Sequence, residues 1–244
     1  LTPCDLPGMP PGIWIGRVRE AEALEPPAPL AAFACRNTRL AELALRQDGF
    51  MEAVADAIAR HGAGRVAVVL GTSTSGIEET EQAWARRGTD GALPAYDFAR
   101  THDLHALPRY VRARLGLKGA CISISTACTS GARSFLDAAA LIAAGLADAA
   151  VVGGADTLCR LTLHGFGSLP GVGTRPVRKG LQRPPPDGLR QRRGFTGERI
   201  LLDPLRPQGR DDRNRKIVGM LLSQLAKLSG ERCPGRVGLS DGVE

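Results

Sequence analysis

The stretch 122–132, which reads Ile-Ser-Ile-Ser-Thr-Ala-Cys-Thr-Ser-Gly-Ala, constrains the fold of this chain more than any other feature. Its β-branched start predicts a short strand, and the Ala-rich residues that follow predict a helix ending near Gly145. Cys128 then lies at the turn, just before a helix N-terminus, where unpaired N–H groups and the helix dipole favour an anionic sulfur. The pattern indicates a nucleophilic cysteine. The alternative is a buried structural cysteine, the commoner state of a free thiol.

Two other segments have the character of strands buried on both faces of a parallel sheet. Residues 65–70 and 147–154 are almost continuously apolar, and each segment leads into glycine. Helices are predicted at 37–61, with an interruption at Gly49, and at 77–87 and 104–115. This alternation of helices and strands predicts an α/β layered fold.

Neither glycine-rich strand end predicts a bound nucleotide. Residues 71–76 (Gly-Thr-Ser-Thr-Ser-Gly) lack the Gly-Lys-Ser/Thr ending of a phosphate-binding loop, and the Gly153-Gly154 pair completes no GxGxxG motif. We therefore expect 71–76 to be a tight turn beside the active site. The six cysteines show no metal-ligand spacing, so we expect neither a metal nor a cofactor.

The net charge of +7 belongs to the last third of the chain. Residues 1–168 contain 16 Lys and Arg against 17 Asp and Glu, whereas residues 169–244 contain 16 against 8. Residues 170–244 also contain eight prolines, and a weak helical pattern predicts a helix at 217–228. This basic tail suits a nucleic-acid-binding extension, a solvated linker or a segment translated out of frame. Its one aromatic residue, Phe195, argues against base stacking.

The remaining signals concern compartment and acid–base partners. No apolar run is long enough to span a membrane and no signal peptide is evident, so we expect a reducing cytoplasm. The chain begins at Leu1, which suggests that the sequence starts inside a longer protein. The four histidines (61, 102, 105 and 164) are expected at helix ends or in solvated loops, and a catalytic role for any one of them is the minor hypothesis.

Residues 119–132 resemble the nucleophile region of β-ketoacyl–acyl-carrier-protein synthases. The flanking segments 68–73 and 151–156, with Gly165-Phe166, agree in order and spacing, so the resemblance covers residues 36–169. It implies a thiolase-like fold, in which two similar halves form five α-β-α-β-α layers. Residues 1–35 are then a partial N-terminal segment, 36–169 form the N-terminal half of this fold, and 170–244 are an irregular basic tail.

The resemblance implies a decarboxylative Claisen condensation in fatty acid or polyketide synthesis. Cys128 matches the cysteine that takes an acyl group from acyl carrier protein as a thioester, and its N–H matches an oxyanion donor. Members act as homodimers that pair through the strand before the nucleophile, here about 120–125. The partners we expect are therefore acyl carrier protein and a second synthase-type subunit, and neither a membrane nor nucleic acid.

The chain departs from the family pattern after Leu169. The family's two catalytic histidines, its lysine and its second oxyanion donor come from the second half, which nothing in 170–244 matches. A frameshift near the codons for Leu169 and Pro170 would account for this, because shifted GC-rich codons yield Arg, Pro and Gly. We therefore expect acylation of Cys128 with impaired condensation. The alternatives are a non-catalytic synthase-like partner, or nucleic-acid binding through the tail.

Overall fold

The computed structural model describes residues 2–168 and the strand at 216–221. The strands and the α-helices of these residues are, in chain order, β1 (Thr2–Pro3), β2 (Trp14–Ile15), α1 (Arg36–Leu45), α2 (Phe50–His61), β3 (Val66–Gly71), α3 (Ile77–Ala85), α4 (Phe98–Thr101), α5 (Ala106–Arg114), β4 (Cys121–Ile124), α6 (Ser130–Ala143), β5 (Ala149–Gly154), α7 (Arg160–Gly167) and β6 (Lys216–Leu221).

A four-stranded parallel sheet in the order β4-β3-β5-β6 forms the centre of the fold. Every residue of β3 and β5 is buried, as the continuous apolar runs predict. The two strands pair in register from Val66 opposite Ala149 to Gly71 opposite Gly154. Among the described residues, strand β4 pairs with β3 alone and lies at one edge of the sheet.

Alternate residues of β3 enter two different cores, because successive side chains of a strand point to opposite faces. Val66, Val68 and Leu70 pack in the larger core with residues of α1, α2 and α5. Ala67 and Val69 pack on the other face with residues of α6. The described residues thus form three layers, α-β-α, of the predicted fold.

Most predicted elements are confirmed within a few residues. The helical pattern at 37–61 forms α1 and α2, which are separated at Gly49, where φ is 66°. The helix predicted at 217–228 is wrong over 217–221, which belongs to β6. This strand pairs in parallel with β5, and that long-range pairing outweighs a weak helical pattern. The rest of the 170–244 tail lies outside the described residues.

A buried carboxylate joins α1 to α5. Glu42 has no exposed surface, and its carboxylate accepts hydrogen bonds from Tyr110 Oη at 2.6 Å, Arg114 Nε at 3.0 Å and Arg46 Nε at 2.7 Å. Burial by itself raises the pKa of Glu42, but the bonds from Arg114, Tyr110 and Arg46 outweigh it and hold the pKa below its ordinary value. This cluster keeps α1 and α5 in place on one face of the sheet.

Candidate active site

The carboxyl ends of β3, β4 and β5 meet at one edge of the sheet. Gly71 lies between Ile124 and Gly154 in the strand register. A methyl group added at Gly71 would overlap with the backbone of Ser130, the first residue of α6. The absence of a side chain at Gly71 therefore allows the first turn of α6 to lie directly against the end of β3. In open α/β sheets, ligand sites form outside these carboxyl ends.

Cys128 lies in this region, in the turn between β4 and α6. It is exposed and precedes the first residue of α6 by two positions, as the strand–turn–helix pattern predicts. The preceding residue, Ala127, has a φ of 52°, a left-handed conformation that L-residues seldom adopt. Such a conformation persists only where the surrounding structure enforces it, and it frequently marks functional sites.

Hydrogen bonds to the carbonyl of Ala127 hold this conformation. Three donors lie within reach of its oxygen: Ser130 N at 3.1 Å, Ser130 Oγ at 2.6 Å and Ser73 Oγ at 2.8 Å. The Ser130 hydroxyl also accepts from the N–H of Thr126 at 2.9 Å. The turn is therefore fixed from within by Ser130 and from the neighbouring loop by Ser73.

Asp156, which follows β5, organises the loop that contains Ser73. Its Oδ1 accepts from the N–H of Ser73 at 2.6 Å, from the N–H of Thr74 at 2.9 Å and from Thr72 Oγ1 at 3.0 Å. The sequence predicts a tight turn for this loop, and the structure shows one that is held by a carboxylate from another strand end. Composition and periodicity did not single out Asp156. Its signal is its position two residues after a buried strand that ends in Gly-Gly.

The structure places the histidines at separate positions, and no hydrogen bond among the described residues joins any of them to Cys128. His102 Nδ1 lies 2.6 Å from Thr80 Oγ1, and the ring packs edge-on against Phe98. Burial lowers the pKa of His102, and the charge of Asp103 opposes the shift. His61 ends α2, His105 directly precedes α5, and His164 lies on α7.

Three of the other four cysteines in residues 2–168 are less available than Cys128. Cys35 and Cys159 are buried, and burial raises the pKa of both thiols. Burial also raises the pKa of Cys121, against the opposing charges of Arg112 and Arg109. No group of three or more His, Cys, Asp and Glu side chains in residues 2–168 is arranged to hold a metal ion. In the same range, no helix has the length and apolar character needed to cross a membrane.

Comparison with known proteins agrees with this geometry. The model of the family "Beta-ketoacyl synthase, N-terminal domain" matches residues 21–185, a range that includes the sheet from β3 to β5 and the Cys128 turn. The chain belongs to this family. The fold is accordingly the thiolase-like α/β fold that the sequence predicts.

Two proteins similar to this chain in sequence are 3-oxoacyl-acyl-carrier-protein synthases. The chain is 35% identical over 117 residues to 3-oxoacyl-acyl-carrier-protein synthase 2 of Vibrio cholerae, a match over 46% of this chain and 28% of the relative. It is 34% identical over 122 residues to the synthase 2 of Vibrio harveyi, covering 48% of this chain and 29% of the relative. The chain thus matches less than a third of the length of either enzyme.

A solved structure is similar over a longer range. The chain superposes on the structure of the ketosynthase ApeO in complex with its chain length factor ApeC, from Xenorhabdus doucetiae, with a TM-score of 0.56 and 38% identity. The similarity covers 62% of this chain and 38% of that one.

Proposed function

We propose that Cys128 is the acyl-accepting nucleophile of a β-ketoacyl synthase. The observation that carries this proposal is the position of Cys128: exposed, at the carboxyl edge of the sheet, in a strained turn directly before α6. The turn lies within the range matched by the β-ketoacyl synthase family model. Small neighbours, Ala127 and Gly131, leave room for a thioester carbonyl beside the backbone.

The reaction we propose is the acylation half of a decarboxylative Claisen condensation. The Cys128 sulfur attacks the carbonyl carbon of an acyl thioester, the carbonyl electrons move to oxygen, and the N–H of Cys128 stabilises the resulting oxyanion. The thiolate of the acyl donor then leaves and takes up the proton lost from Cys128. Condensation with malonyl-acyl carrier protein would follow in the whole protein, and we expect it to be impaired in this chain.

The experiment incubates the chain with an acyl thioester or an epoxide inhibitor of the cerulenin type and maps the adduct by mass spectrometry. We expect one adduct, on Cys128, which the Cys128→Ser variant lacks and the Cys121→Ser variant retains. Cys121 is the matched control because it lies seven positions earlier, on β4. Modification of Cys121 with Cys128 left free would overturn the assignment.

The partners we propose are acyl carrier protein and a second synthase-type subunit, an identical chain or a related one. The edge of β4 that faces away from β3 supports the second partner. The residues of β4 are only partly buried, and no other strand of the described part of the chain pairs with it. The similar solved structure is that of a ketosynthase in complex with its chain length factor. Pairing through β4 would cover Ile122 and Ile124, which now lie partly exposed.

A proline substitution tests this interface. Val68 N donates to Ala120 O and Thr72 N donates to Ile124 O, so Ala120 and Ile124 face β3 and the alternate residue Ser123 presents its N–H to the open edge. Ser123→Pro removes that outward N–H and leaves the bonds to β3 in place. We expect sedimentation velocity to show loss of the dimer in Ser123→Pro but not in Ser123→Ala. A dimer unaffected by proline would refute pairing through β4.

A further inference from the structure

We propose that Ser73 and Asp156 are positioning residues that aim the N–H of Cys128 at the oxyanion of the acylation step. The inference rests on the proposed function, since it assigns a role within that same reaction. Ser73 lies on the loop after β3 and Asp156 on the segment after β5, so both are remote from Cys128 in sequence. The structure connects them to the Cys128 turn through one peptide group.

That group is the peptide bond between Ala127 and Cys128. The described residues contain no cis peptide, and in a planar trans peptide the C=O and the next N–H point in opposite directions. The direction of the Ala127 carbonyl therefore determines the direction of the Cys128 N–H. Ser73 Oγ and the two Ser130 donors hold that carbonyl, so the N–H points away from them.

Ser130 and Ser73 contribute differently to this arrangement. The bonds from Ser130 N and Oγ are local, because they span three residues and would accompany many helix starts. The bond from Ser73 comes from 54 residues away. It ties the orientation of the peptide to the sheet, because the Ser73 loop continues directly from β3.

Asp156 fixes the Ser73 loop. A single carboxylate oxygen accepts the N–H groups of Ser73 and Thr74 and the hydroxyl of Thr72. Hydrogen bonds to an ionised acceptor are shorter and stronger than those between neutral groups. The loop is therefore rigid at the residue whose hydroxyl reaches Ala127, and the orientation of the Cys128 N–H is set before substrate binds, as oxyanion stabilisation requires.

The experiment compares two reactions of Cys128 in the full chain. Acylation by a short acyl-N-acetylcysteamine thioester passes through an oxyanion, whereas alkylation by iodoacetamide displaces iodide and forms none. We expect Ser73→Ala and Asp156→Ala to slow acylation about tenfold, less than the loss of a whole oxyanion donor, and to leave alkylation unchanged. Ser73→Thr and Asp156→Asn keep a hydroxyl and an acceptor oxygen, and we expect both to restore much of the acylation rate.

Ser168→Ala is the matched control, because it also removes a serine hydroxyl bonded to a backbone carbonyl, that of Gly165 on α7. It should change neither rate. An equal loss of acylation and alkylation in Ser73→Ala, or no loss of either, would overturn the positioning role while the proposed function stands. A wild-type chain alkylated but never acylated at Cys128 would refute the proposed function and this inference together.

Discussion

Replacing the buried Glu42 by Gln is the sharpest test of the packing described above. The substitution preserves shape but removes the charge that faces Arg114, Arg46 and the Tyr110 hydroxyl. Removing one partner of a buried ion pair typically costs about 3–5 kcal/mol. The side chains of Arg114 and Arg46 remain 19% and 47% exposed, so water can solvate part of their charge. We therefore expect a loss of about 2–4 kcal/mol in the free energy of unfolding.

Acid should abolish this difference, because the native pKa of Glu42 is lowered. The carboxylate contributes its stabilisation above the pKa of the unfolded chain, about 4.3, and the contribution is lost as the pH falls through the lower native pKa. Urea unfolding followed by circular dichroism should thus show a large gap in the free energy of unfolding between wild type and Glu42→Gln at pH 7. The gap should narrow below about pH 4.

The control is Glu52→Gln, on the exposed face of α2. It removes the same charge from a solvated position, and we expect it to change stability by less than about 0.5 kcal/mol. Equal effects of the two substitutions at pH 7 would refute the ionic role of Glu42. A gap that persists unchanged at pH 3 would show that packing, and not charge, is the cause.

Two further predictions concern the site. Gly71→Ala should destabilise the chain by about 2 kcal/mol or more, because the added methyl group would overlap the backbone of Ser130 and force β3 and α6 apart. The control is Gly165→Ala on α7, where a methyl group would meet no neighbouring atom, and we expect it to be neutral or stabilising. Equal melting temperatures for the two variants would contradict the close approach of α6 to Gly71. Iodoacetamide at neutral pH should modify Cys128 before Cys121, Cys35 and Cys159, because Cys128 is exposed and burial raises the pKa of those three thiols. Peptide mapping at successive times measures the order of modification, and earlier modification of any of the three would contradict this prediction.

Local sequence determined the strands and helices that build the site. The apolar run that becomes β3 and the change from strand to helix around Cys128 are periodic signals contained within a few residues, so they predict both elements and the position of the thiol. The role of Cys128 as nucleophile stays a prediction. The one local signal that failed lies at Lys216–Leu221, where a weak helical pattern gave way to pairing with β5.

Only the tertiary structure decided how the site is held together. Ser73 lies 54 residues from Ala127 and 83 residues from Asp156 in the sequence, and no periodicity links them. Glu42 likewise resembles any polar residue of an amphipathic helix until α5 brings Tyr110 and Arg114 against it, 68 and 72 residues later. The position of Cys128 in a turn between strand and helix was predictable from the chain alone, because the signals for that turn are local. The direction of its N–H depends on hydrogen bonds between strand ends, and these exist only once the sheet has formed.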